Sequence, residues 1–175
     1  MDGPLETARL LLRRPAVEDA PEIFARYASD AEVTRYLGWP RHTSVDDTRA
    51  FVQFSDAEWG RWGTGPLLVY SRSGGGLLGG SGLTMETQQR AMTGYVLARD
   101  AWGRGYATEV LRAMVDLADS LRIARLYATC HVDHRASWRV MEKCGFEREA
   151  ILRRHTVFPN LSPQPADVLI YARTG

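Results

Sequence analysis

Cysteine is scarce in this chain: Cys130 and Cys144 are the two present in 175 residues. With no second pair there is no disulfide framework and no thiolate zinc site, so both read as buried or half-buried thiols of a reducing compartment. Long apolar runs are missing too. No window approaches the roughly 18 apolar residues of a spanning helix, which argues against a membrane. The start, Met1-Asp-Gly-Pro-Leu-Glu, has no basic stretch followed by an apolar one, so no secretory leader is expected and the cytoplasm is the expected location. Net charge is nearly absent, at +1. That excludes capture of nucleic acid by the field of the whole surface, and an anionic ligand must be held by a local site. What is present, 45% hydrophobic and 25% charged residues, is the mix of an ordinary globular protein long enough to bury one core.

No repeat or long linker interrupts the chain, and one α/β domain is expected over residues 1–175. Ala8–Arg14 suits a first strand that Pro15 ends. Glu18–Ser29 reads as a helix, with Pro21 tolerable in its first turn. Ser44 and Asp47 form an acidic variant of the capping box, opening a helix to about Glu58. Leu67–Arg72 and Leu77–Met85 read as a hairpin turning at residues 73–76, and Gly79, Gly80 and Gly82 in its second arm suggest a bulge or a crowded backbone. Thr93–Ala98 and the alternating Arg125–Val132 are strands. Ala107, Val110, Leu111, Met114, Leu117, Ala118 and Leu121 fall at helical spacing, so Ala107–Leu121 is an amphipathic helix. Arg135–Cys144 is a short helix stopped by Gly145. Phe146–His155 and Val168–Arg173 are the last strands, separated by a Pro-rich loop.

The segment that carries chemistry is the strand–turn–helix through Trp102-Gly103-Arg104-Gly105-Tyr106-Ala107-Thr108-Glu109. A helix start presents unpaired amides and a partial positive charge, and Gly103 and Gly105 allow an anion to approach the backbone closely. The turn therefore suits a pyrophosphate, with Arg104 and the Thr108 hydroxyl as further donors. The same residues are equally compatible with a tight connection that binds nothing. A Rossmann site fits worse, because position 108 is Thr where a third glycine is needed. The Gly-rich stretch near residue 76 is a poor nucleotide loop, since no Lys-Ser or Lys-Thr follows it.

Gly105 and Ala107 match the small positions of the Gln/Arg-x-x-Gly-x-Gly/Ala turn of the GNAT acetyltransferase superfamily, with Trp102 where Gln or Arg is usual. The full string, with His134-Arg-Ala-Ser137 and Glu142-Lys143-Cys-Gly145-Phe146 downstream, resembles the ribosomal-protein-alanine acetyltransferase (RimJ/RimL-like) branch. Ala8–Arg14, Gly94-Tyr95 and Asp167…Tyr171-Ala172 extend the resemblance over nearly the whole chain. It implies a GNAT fold: a mixed, mostly antiparallel sheet of about six to seven strands flanked by helices, with two central parallel strands splayed apart. The pantetheine arm of acetyl-CoA would lie in that splay, pairing with backbone near Leu97, and its pyrophosphate on residues 103–108. No metal is implied.

The implied reaction is direct attack of a primary amine on the acetyl thioester. Glu86, at the end of a strand, is the candidate base, against its reading as a solvated carboxylate. Ser137 would donate to the departing thiolate; capping the helix it opens is the compatible structural alternative. His134 stands where Asn is usual and would touch pantetheine or substrate. With His131 it makes a His-x-x-His pair lacking the further ligands zinc needs. Tyr95 and Tyr106 read as packing residues. Arg99, Arg139 and Lys143 are candidates for the adenosine 3′-phosphate, and Tyr36, Trp39 and His155 for the acceptor side.

At neutral pH roughly a tenth of α-amino groups are neutral, against roughly one lysine amine in a few thousand, so a site with one Glu suits an N-terminal amine better than lysine, as the resemblance also implies, and a small-molecule amine stays open beside it. Aminoglycosides and amino acids are acceptors on the same scaffold. The protein would act as a monomer or homodimer without nucleic acid. The alternative is a GNAT-like sensor that binds acyl-CoA without turnover; Met92, where Glu is common, and His134 keep it open.

Overall fold

The computed structural model describes residues 3–174. Met1, Asp2 and Gly175 lie outside them, so the reading of the N-terminus as leaderless falls partly beyond what is described. Apolar residues in alternation put Leu10 and Leu12 wholly in the core, while Leu11 and Arg13 are half-buried. The strands are β1 (Leu5–Glu6), β2 (Leu10–Arg13), β3 (Pro66–Ser71), β4 (Leu77–Thr87), β5 (Arg90–Leu97), β6 (Arg125–His131), β7 (Glu147–Val157) and β8 (Pro165–Thr174). They form one sheet in the order β1-β2-β3-β4-β5-β6-β8-β7. Eight strands stand where six to seven were expected, because the short Leu5–Glu6 segment pairs with Leu11 and Leu12.

All neighbours are antiparallel except β5 and β6, which are parallel. Their pairing is confined to Arg90–Arg125, Ala91–Leu126 and Met92–Tyr127. Beyond Met92 the two strands part, which is the splay. β4 is pressed tightly on β5: a Cβ on Gly79 would lie 2.0 Å from the Val96 carbonyl oxygen. The crowding read from the glycines is therefore real.

The helices are α1 (Ala20–Ile23), α2 (Ala31–Thr34), α3 (Val45–Trp62), α4 (Tyr106–Ser120) and α5 (Arg135–Lys143). The helix expected over Glu18–Ser29 is broken. A 3-10 turn precedes α1, and the Ser29 amide reaches back five residues to the Phe24 carbonyl (3.2 Å), with its hydroxyl on the same oxygen (2.7 Å), so Phe24–Ala28 is a widened π turn. The capping box at Ser44 and Asp47 is formed, and α3 runs beyond Glu58, through Gly60, to a left-handed cap at Gly63. The last two strands are longer than expected, because β7 and β8 pair across bulges as far as Val157–Pro165.

One face of the sheet carries α4, whose Val110, Leu111, Met114, Leu117 and Ala118 enter the main core. Each of the larger of these side chains contributes about 1.5–3 kcal/mol on burial. A second cluster around Ile23, Tyr27, Val52, Leu68 and Leu77 joins α1 and α3 to the opposite face. Among the described residues no helix is long and apolar enough to cross a membrane.

Candidate active site

Gly103 (φ 71°) and Gly105 (φ 77°) give the turn before α4 its left-handed steps. Gly105 is the helix N-cap and brings no side chain to it. Among the described residues nothing accepts from the amides of Gly103 to Thr108; the first bond of the helix is Glu109 N–H to the Gly105 carbonyl. A row of free donors at a helix start is an anion site by construction.

The turn is braced by residues that the sequence did not flag. Glu109 accepts from the Thr7 hydroxyl (2.5 Å), the Arg9 amide (2.9 Å) and Arg9 Nε (2.6 Å). Arg9 Nη1 donates to the Arg104 carbonyl (2.9 Å), and its guanidinium lies over the Tyr106 ring at 4.6 Å. Although burial works against it, these bonds from Thr7 and Arg9 hold the Glu109 carboxyl below its ordinary range. Gly105, Thr108, Arg9 and Glu109 line a hollow of about 370 Å³. The Arg104 side chain is exposed, and Ala107 is half-buried.

The splay lies beside this turn. The Ala98 amide donates to Leu78 (2.8 Å) and the Gly94 carbonyl accepts from Ser81 Oγ (2.7 Å), so even-numbered residues of β5 turn their backbone groups to β4. By alternation Thr93, Tyr95 and Leu97 turn theirs toward the parted β6. The Leu97 carbonyl accepts from Trp102 Nε1 at 2.8 Å. The residue that departs from the common turn pattern thus caps the strand expected to pair with pantetheine.

Tyr95 faces α5, and its hydroxyl lies 3.3 Å from both the Ser137 Oγ and the Ser137 carbonyl. Burial pushes the Tyr95 phenol up to about 12, so it stays a proton donor at neutral pH. Ser137 is buried and contacts Tyr95 rather than capping α5, whose N-cap residue, His134, also makes no side-chain cap. Burial lifts the Cys130 thiol to about 11, opposed by the Ser137 hydroxyl.

A cleft of about 1090 Å³, which reaches the Tyr95–Ser137 contact, brings together Tyr36, Trp39, Glu86, His134, Ser137 and His155. Tyr36 stacks on His134 (4.8 Å) and tilts against His131 (5.1 Å), while Trp39 tilts against His42 (5.1 Å). Burial, and then His131, lowers the His134 pKa; burial lowers that of His42. Glu86 is engaged at both oxygens, by the Tyr127 hydroxyl and by Arg90. Burial and the bond to Glu86 push the Tyr127 phenol up to about 12.

Neither Leu97 nor residues 103–108 line this cleft, so the candidate residues fall at two ends joined by β5. Arg99 is paired with Asp30 at 2.7 Å rather than standing free, and Arg139 and Lys143 are exposed on α5. Among the described residues no His, Cys, Asp or Glu cluster could hold a metal ion.

The acetyltransferase (GNAT) domain family matches residues 9–147, from the arginine that braces the turn to the first residue of β7. The chain belongs to the GNAT acetyltransferase family. This acetyltransferase is 33% identical over 172 residues to the uncharacterized N-acetyltransferase YoaA of Bacillus subtilis (strain 168), covering 94% of this chain and 93% of that protein. Its fold is similar to a GNAT-family acetyltransferase from Bacillus anthracis, with a TM-score of 0.84, 25% identity and 98% of each chain covered. It is also similar to RimL, a ribosomal L7/L12 α-N-protein acetyltransferase in an apo crystal form, with a TM-score of 0.84 and 25% identity over 97% of this chain and 92% of that one. The mixed sheet with its one parallel pair is the GNAT fold expected from the resemblance.

Proposed function

We propose that this GNAT enzyme, of the RimJ/RimL-like branch, moves the acetyl group of acetyl-CoA to a primary amine by direct attack, the acceptor being a protein N-terminal α-amine or a small-molecule amine. The observation that carries it is the alignment of the donor row at Gly103–Thr108 with the splay that opens after Met92–Tyr127. The donors suit a pyrophosphate, and the outward-turned backbone of Tyr95 and the amide of Leu97 suit an extended amide-bearing arm laid along β5. Trp102 would release the Leu97 carbonyl as that arm pairs.

In the proposed reaction the amine lone pair attacks the thioester carbon, and an outward-turned amide of β5 receives the developing oxyanion. The C–S bond breaks and Ser137 Oγ protonates the thiolate. Tyr95, which donates to Ser137 Oγ at 3.3 Å, orients that hydroxyl, and solvent restores the proton that Ser137 gives up as coenzyme A leaves. Glu86 takes the proton of the amine directly or through water, exchanging its contact with Arg90 or Tyr127 as it does so. The proposed setting is the cytoplasm, with the chain a monomer or homodimer.

Calorimetric titration of acetyl-CoA, coenzyme A, NAD and ATP tests the reading. Selective acetyl-CoA binding, abolished in Gly105→Glu and only weakened in Gly105→Ala, is expected, because the second variant carries the backbone strain without the charge. Wild-type protein that is folded and ignores acetyl-CoA would overturn it. Glu86→Gln and Ser137→Ala then lower kcat while leaving acetyl-CoA binding in place.

A further inference from the structure

Resting on that acyl-transfer reading, we infer that the acceptor carries its amine on one flat, apolar body seated against Tyr36 and Trp39, on a wall that Asn160 holds in position. Asn160 lies in the loop between β7 and β8. Its Nδ2 donates to the carbonyls of Thr34 (2.8 Å) and Trp39 (2.9 Å), and its Oδ1 accepts from the Arg41 amide (2.8 Å). One side chain thus pins both ends of the segment bearing the two rings to a loop distant in sequence. Tyr36 is fixed further by its stack on His134, and Trp39 by His42. Half-buried rings fixed in this way form a preformed apolar surface rather than a collapsing one.

Charge complementarity narrows the occupant. Asp47 and Glu86 are the carboxylates that line the cleft among the described residues. Asp47 is spent on the amides of Thr43 and Ser44, and Glu86 on Arg90 and Tyr127. A second ammonium on the acceptor would enter a cleft with no carboxylate to meet it, a costly burial. A polycationic acceptor is disfavoured, whereas a flat ring finds its complement. That body is either a small molecule or the first side chain of a peptide.

Steady-state acetylation and calorimetric binding of 2-phenylethylamine, ethanolamine, spermidine and a tripeptide beginning with phenylalanine test this in the full chain. The expected kcat/KM for 2-phenylethylamine or the tripeptide exceeds that for spermidine and ethanolamine by about tenfold or more. Whichever of the two aromatic acceptors is faster assigns the source. Trp39→Ala should erase the preference by raising the amine KM while the acetyl-CoA KM holds. Asn160→Ala should do so in part, and Asn160→Asp, which sets a carboxylate oxygen against the Thr34 and Trp39 carbonyls, at least as much. Spermidine or ethanolamine matching the aromatic acceptors, or a preference that survives Trp39→Ala, would overturn the inference. Acetyl-CoA binding without transfer to any amine would sink the transfer reading instead. The amine binding isotherms would then decide the inference alone: tighter aromatic binding supports it, and equal or weaker binding overturns it.

Discussion

At the α4 end of the site the groups that face a ligand are backbone amides, set by a short turn and braced by Arg9 and Glu109. At the other end they are the rings of Tyr36 and Trp39, on a segment fixed by Asn160, and of His134, on which Tyr36 stacks. Amides at a turn depend on dihedral angles that near neighbours impose. A ring wall depends on side-chain contacts, such as the Tyr36–His134 stack and the Asn160 bonds, each replaceable by itself. The difference teaches that the proposed nucleotide end and the proposed acceptor end are specified by separable parts that share one strand, β5.

The largest expected effect strikes that shared strand. A Cβ at Gly79 would meet the Val96 carbonyl oxygen at 2.0 Å, so Gly79→Ala must displace β5 and both ends should fail together. Denaturant titration should show a loss of about 3 kcal/mol; unchanged stability with one end intact would mean that the strand is not shared rigidly. Next comes Glu109→Ala, which removes the brace of the turn. It should cost about 2 kcal/mol in unfolding free energy and raise the acetyl-CoA KM about tenfold, with the amine KM unmoved. A parallel rise in both constants would break the separation of the two ends.

Trp102→Phe should be milder. It deletes the 2.8 Å bond to the Leu97 carbonyl, for a loss of about 1 kcal/mol in a thermal melt. Freed of that partner, the carbonyl should bind acetyl-CoA up to about threefold tighter by calorimetry.

The smallest effect is in pH. His134 and His42 have folded pKa values below 6.5, so the unfolded chain protonates first. Their stabilisation is complete above pH 6.5 and is lost as pH falls toward the folded values. Glu109 is held below 4.5, so its contribution persists until pH falls through that lower range. Thermal stability and amine binding should therefore soften as pH falls below 6.5, while acetyl-CoA affinity holds until the lower range in which Glu109 titrates.

What could be read in the sequence divides by range rather than by end of the site. The turn glycines, the Ser44–Asp47 capping box and the stripe of α4 are local signals, and each is where the sequence puts it. The splay came through the family resemblance rather than through periodicity, because nothing in Thr93–Leu97 itself says that its partner strand departs. Arg9, Thr7 and Asn160 were missed, since their partners lie about a hundred residues or more away and no spacing rule connects them. The widened turn at Phe24–Ala28 was missed for another reason: an apolar helical stripe looks the same whether its last turn closes on the fourth or the fifth residue.

The confinement of β5–β6 pairing to Arg90–Met92 makes the sheet two panels joined at a seam, β1–β5 on one side and β6–β8 on the other. A chain laid into the open part of such a seam supplies the missing rungs between the panels. The cosubstrate would then also serve as a fastener. Its arrival should slow amide hydrogen exchange at Tyr95 and Leu97 more than at the already laddered Val96, and departure of coenzyme A would leave the panels free to open again.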